Sequence, residues 1–158
     1  MAEGIGIVSM GGITNIGKFA DALGPRGMNI RLAGLCDAAE APYARRNLHR
    51  MDPGSALTRE ASEAHGLFVC EADLEDELIR ALGTTAVERV LESEGELASF
   101  RRFQDQPAQR GRSAHAHLHR FMGTRARRKI RYGSLLVEAL PLDRVPRALD
   151  AVLAYHRR

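Results

Sequence analysis

Five carboxylates stand where two apolar runs end. Ile30-Arg-Leu-Ala-Gly-Leu-Cys36 leads into Asp37 and Glu40, and Gly66-Leu-Phe-Val-Cys70 leads into Glu71, Asp73 and Glu75. Carboxylate oxygens are hard ligands that suit Mg²⁺ or Mn²⁺. Acids gathered at one place repel one another unless a divalent cation neutralises them. A single Asp or Glu at a helix start is more often a cap that complements the helix dipole. The expectation of a cation site therefore rests on two strand ends that both carry acids, not on any one residue.

The second chemistry is cationic. Residues 1–100 hold 9 Lys and Arg against 16 Asp and Glu, whereas residues 101–158 hold 14 against 4. An acidic half suited to cations is followed by a basic half suited to phosphates. The basic residues cluster at Arg125, Arg127, Arg128, Lys129 and Arg131, a run that also fits a solvated helix face.

Two further motifs are weaker. Gly12-Ile-Thr-Asn-Ile-Gly-Lys-Phe19 approaches a phosphate-binding P-loop, but Phe19 stands where a hydroxyl should meet Mg²⁺. A glycine turn, with Ile16 and Phe19 packed inward, is the expectation there. His115-Ala-His-Leu-His119 places two imidazoles on one helix face, yet no Glu at metalloprotease spacing or second ligand group accompanies them. An exposed helix carrying histidines and arginines is expected instead of a zinc centre.

These residues need a scaffold. Ile5-Gly-Ile-Val-Ser-Met10 predicts a first buried strand running into the Gly11-Gly12 turn. Ile13, Ile16, Phe19, Ala20 and Leu23 mark one helix face, stopped by Gly24-Pro25. The runs ending at Cys36 and Cys70 predict two more strands. A helix from about Pro42 to Arg50 lies between them, then a polar connection around Asp52-Pro53-Gly54 with room for a short helix. Strand-helix-strand-helix-strand order predicts a parallel sheet with right-handed crossovers, whose ligands collect beyond the carboxyl ends of the strands. From Leu74 onward the chain predicts helices, with apolar stripes at Leu78, Ala81 and Leu82, at Val87, Val90 and Leu91, at Ile130, Leu135, Leu136 and Leu140, and at Val145, Leu149, Val152 and Leu153.

At 158 residues and 44% hydrophobic, the chain has length for a single core. It lacks a run of roughly 18 apolar residues and a secretory leader, so membrane partners are not expected and a cytoplasmic location is. Cys36 and Cys70 end apolar runs, where buried free thiols are expected rather than a disulfide.

Taken in order, Met10-Gly-Gly-Ile-Thr-Asn-Ile-Gly-Lys-Phe19, Leu32-Ala-Gly-Leu-Cys-Asp-Ala-Ala-Glu40, Phe68-Val-Cys-Glu-Ala-Asp-Leu-Glu-Asp-Glu-Leu78, Arg120-Phe-Met-Gly-Thr124 and Arg128-Lys-Ile-Arg-Tyr132 resemble the Toprim domain of the overcoming-lysogenisation-defect (OLD) family of metal-dependent nucleases. The resemblance runs through nearly the whole chain. It implies a Toprim, Rossmann-like α/β sheet flanked by helices over residues 1–95, with a basic helical extension over 96–158 packed on it.

It further implies that Asp37 is the first acid of a paired-aspartate motif, with Glu40 in place of the partner that Ala39 lacks. Asp73 and Glu75 correspond to the neighbouring metal-binding acids, and Lys129 to the lysine that assists phosphodiester cleavage. Arg125, Arg127, Arg128 and Arg131 would then hold flanking phosphates. The family's first strand, with its Val-Glu-Gly type motif, has no counterpart: Glu3-Gly4 precedes the strand that normally comes second, and no ATPase domain is present. The chain is thus expected to be an N-terminally shortened relative that cleaves nucleic acid, with DNA the expected partner and RNA left open, using Mg²⁺ or Mn²⁺. The alternatives are a non-catalytic domain that binds nucleic acid or a partner, as a homodimer or with an ATPase domain, and a phosphohydrolase of small molecules.

Overall fold

Two of the three expected strands form. In the computed structural model, which describes residues 5–51, 58–124 and 126–157, β1 (Gly34–Cys36) pairs in parallel with β2 (Leu67–Val69). The register sets Gly34 opposite Leu67 and Cys36 opposite Val69. Bonds from Gly34 N to the Gly66 carbonyl (2.8 Å) and from Cys70 N to the Cys36 carbonyl (3.0 Å) flank the ladder. The Glu3-Gly4 pair, the Asp52-Pro53-Gly54 connection and Arg125 lie outside the described residues.

The run 5–10 is not a strand. Ile7 is 96% exposed and Val8 63%. An apolar run becomes a strand only when its backbone finds a ladder partner and one face finds something to bury against, and among the described residues this run has neither. The second expected strand is also shorter than the run Ile30–Cys36: Ile30 is exposed and only the last three residues enter the ladder.

Contacts divide the chain into two compact units, Met1–Ala72 with Arg147–Arg158, and Asp73–Pro146. The resemblance implies a boundary at 95/96. Here the chain divides at Asp73, the residue that starts a helix, and its last helix returns to the first unit.

In the first unit the Gly11-Gly12 turn leads through a 3-10 turn, Ile13–Asn15, into α1 (Ile16–Leu23), which Gly24 ends. Asn15 Nδ2 donates to the Met10 carbonyl at 2.8 Å and ties the turn to the preceding segment. A parallel pair needs a crossover, supplied by α2 (Ala41–Met51), with Pro42 in its first turn, and by α3 (Arg59–Ala64), whose cap is Thr58. Cys36, Ala41, Ala44, Leu67 and Val69 form the buried cluster, and Ile13, Ile16, Ala38 and Leu48 pack against it. Phe19 is half-buried. The last helix, α9 (Arg147–His156), sets Tyr155 edge-on against Phe68, with ring centroids 5.9 Å apart.

The second unit is helical: α4 (Leu74–Leu82), α5 (Thr84–Ser93), α6 (Leu97–Gln104), α7 (Ala114–Gly123) and α8 (Ala126–Glu138). Leu78, Ile79, Leu82, Val87, Leu91, Phe100, Leu118, Phe121, Met122, Tyr132 and Leu136 are buried in it. Each such side chain contributes about 1.5–3 kcal/mol by leaving water. Ile130, expected in the inward stripe of α8, is instead 76% exposed. Tyr132 and Leu136, four residues apart, define the buried face, and a residue two positions before Tyr132 lies roughly 200° around the helix from it.

Among the described residues the chain is therefore mostly helical, with a small parallel sheet of two strands in a mixed α/β arrangement. Among the described residues no helix is long and apolar enough to cross a membrane.

Candidate functional site

The carboxyl end of the sheet is built by short-range hydrogen bonds. Leaving β1, Asp37 is extended and starts a 3-10 turn, Ala38–Glu40, whose Glu40 Oε2 accepts from the Asp37 N–H at 3.4 Å. Ala38 N donates to the Ala72 carbonyl at 2.8 Å, so the segments that leave the two strands are fastened to each other. Cys36 and Cys70, directly before them, are buried free thiols, as expected. Burial first, then the carboxylates of Glu40 and Asp37, push the Cys36 thiol up to about 11, with Arg45 pulling the other way.

Asp73 and Glu75 open α4 in the second unit. Asp73 caps that helix: its Oδ1 accepts from the Asp76 N–H at 2.8 Å. Glu75, Asp76 and Glu77 fill the first turn, where negative charge complements the helix dipole. Glu75 is only 7% exposed, and the ammonium of Lys129 lies 3.1 Å from its Oε2. A buried carboxylate is tolerable only when its charge is met, and Lys129 meets it.

The histidines expected on an open helix face are partners of these acids. His119 Nε2 lies 2.7 Å from Asp73 Oδ2, and His115 Nε2 lies 2.6 Å from Asp76 Oδ1. Burial pushes the Asp76 carboxyl up, but the hydrogen bond and charge of His115, with Arg80, outweigh it and hold the group below the usual aspartate value. A carboxylate that fixes one imidazole nitrogen orients the ring for proton transfer through the other. The sequence carries a signal for this pairing. Asp73 and Asp76 are three apart on one helix, and His115 and His119 are four apart on another, which places each pair on one face. His117 turns elsewhere, its Nε2 at 2.8 Å from the Gln109 carbonyl.

Two of the expected phosphate-holding arginines are held by acids of their own unit. The Arg128 side chain is 11% exposed; Nη2 lies 2.7 Å from Glu96, Nη1 donates to Thr124 Oγ1 at 2.7 Å, and the guanidinium covers the Phe121 ring at 4.0 Å. Arg131 pairs with Glu94. Arg127 is exposed.

Of the expected cation ligands, the first unit thus carries Asp37 and Glu40, and the second carries Asp73 and Glu75. Their donor chemistry suits hard cations, but among the described residues no three His, Cys, Asp or Glu side chains stand together in a group able to hold a metal ion. Comparison with family models, with curated proteins and with solved structures gives no match to this chain.

Proposed function

We propose that this chain is a Toprim-type domain that hydrolyses phosphodiester bonds of nucleic acid in the cytoplasm. The observation that supports this most is the parallel β1–β2 pair, whose two outgoing segments are joined by the Ala38–Ala72 hydrogen bond. An open parallel sheet of this kind collects ligands at its carboxyl edge, and acids follow both strands. In this reading Asp37 and Glu40 of the first unit, and Asp73 and Glu75 of the second, would serve as carboxylate ligands for Mg²⁺ or Mn²⁺, which when bound would neutralise phosphate charge and activate water. Lys129, whose ammonium lies 3.1 Å from Glu75 Oε2, would supply positive charge to the developing charge on the scissile phosphate. Exposed arginines such as Arg127 hold the flanking phosphates by contacts that carry no sequence preference.

Nicking of supercoiled DNA in Mn²⁺ tests the assignment. Asp37→Asn and Lys129→Ala are each expected to lose at least about a hundredfold in rate, the scale of removing one charge-stabilising group. Equal rates in the wild type and both variants would remove these residues from the site.

A second reading, a non-catalytic domain that binds nucleic acid or a partner chain, draws on a different observation. Asp73, Glu75, Arg128 and Arg131 are all engaged by side chains of their own unit. Calorimetric titration with Mn²⁺ separates the two readings: saturable heat that Asp37→Asn abolishes belongs to the enzyme, and silence belongs to the binding domain.

A further inference from the structure

The second unit holds a cavity of about 270 Å³ that does not involve the acids discussed above. Ser99, Arg102, Phe103 and Gln106 line it from α6 and the residues just beyond, and Phe121 and Arg128 complete the wall. The first three follow the spacing i, i+3, i+4 on α6 and Gln106 reaches the cavity from just beyond the helix end, so a hydroxyl, a guanidinium, a phenyl ring and a carboxamide line it together.

The wall is aromatic and cationic. Phe103 meets Phe121 at 5.5 Å between centroids and 60° between planes. The Arg128 guanidinium lies over the same Phe121 ring and is fixed by Glu96 and Thr124, which also balances its charge. Its Nε is buried without a hydrogen-bond partner. Arg102, by contrast, is exposed at the same cavity.

Space of this size, at the lower end of small-ligand sites, suits one planar ring system and not an extended ligand. Phe121 is 2% exposed and backs the wall, so the half-buried Phe103 ring and the outer side of the Arg128 guanidinium are what can stack on such a ring. Ser99 and Gln106 can donate to and accept from its polar edge, and an exposed arginine beside it suits a phosphate. We propose that this cavity is a nucleotide subsite: it takes one nucleobase, and Arg102 holds the adjoining phosphate. The idea that such a base arrives on a nucleic acid strand rests on the function proposed above, but occupancy of the cavity can be read without any cleavage.

The experiment is an NMR titration of the whole chain with adenosine 5′-monophosphate, with adenosine and inorganic phosphate as separate arms. The nucleotide is expected to shift the Gln106 side-chain amide and the backbone around Phe103. Ser99→Leu fills the cavity without altering charge and is expected to weaken binding at least about tenfold, the scale of a lost stacking contact. Arg102→Gln, at an exposed position where the fold is safe, should weaken the nucleotide and leave adenosine unchanged.

Binding unaffected by Ser99→Leu in a chain whose melting temperature is preserved overturns the proposal. So does a wild type that gives no shifts at the cavity. DNA nicking without nucleotide shifts removes the subsite and leaves the nuclease; shifts without nicking or DNA binding remove the nuclease and leave the subsite.

Discussion

Cys36 ends β1 with a thiol that is 4% exposed and pushed up to about 11 by burial and two neighbouring acids. Only the thiolate is nucleophilic, so Cys36 should stay unmodified by iodoacetamide in the native chain at mildly alkaline pH and react once the chain is unfolded in urea; native-state labelling counted by mass spectrometry checks this. The same shift couples to stability. A group whose folded pKa is raised contributes fully below the ordinary thiol value of 9.0, and that contribution is lost as pH climbs through about 11.

Asp76 runs the opposite way. Its pKa is lowered, so its contribution is present above the ordinary value of 3.8 and is lost as pH falls through the lowered one. Asp76→Asn keeps the shape but removes the charge that His115 and Arg80 meet. It should cost about 1 kcal/mol in urea unfolding near neutral pH and flatten the acid side of the stability profile.

At the scale of elements, two glycines with similar φ separate conformational strain from crowding. Gly83 joins α4 to α5 at φ 80° and ψ 153°, and a Cβ there would meet nothing within 4 Å. Gly83→Ala should therefore cost only the backbone penalty, about 1–3 kcal/mol. Gly66 enters β2 at φ 80°, but its Cβ would fall 2.5 Å from the Leu32 carbonyl oxygen and 3.0 Å from the Tyr155 ring. Backbone cannot move aside as a side-chain tip can. Gly66→Ala should cost at least about 3 kcal/mol and loosen the packing of α9 on β2. Parallel urea melts of the two variants check the contrast, and comparable losses would contradict it.

For the molecule as a whole, the decisive property is the asymmetry of charge between residues 1–100 and 101–158. If the basic half holds phosphates, affinity for a short single-stranded oligonucleotide should fall roughly ten- to a hundredfold between about 50 and 200 mM salt, because each neutralised phosphate releases counterions. A flat salt response in fluorescence anisotropy would leave the basic residues with the structural work that Arg128 and Arg131 already do against Glu96 and Glu94.

What could be read from the residues alone was whatever depends on near neighbours. The helix of residues 41–51, the glycine turn before α1, the apolar faces of α4 and α5, and two strands ending in acids are local patterns of period and punctuation, and they formed. What could not be read depends on which surfaces meet. The apolar run 5–10 has strand composition, yet among the described residues no ladder receives it. Ile130 has core composition, yet the positions of Tyr132 and Leu136 turn it outward. The pairs Asp73–His119, Asp76–His115 and Glu75–Lys129 join residues 39 to 54 positions apart. Periodicity places each member on a helix face, but only packing of one helix on another brings a particular carboxylate within hydrogen-bonding distance of a particular nitrogen.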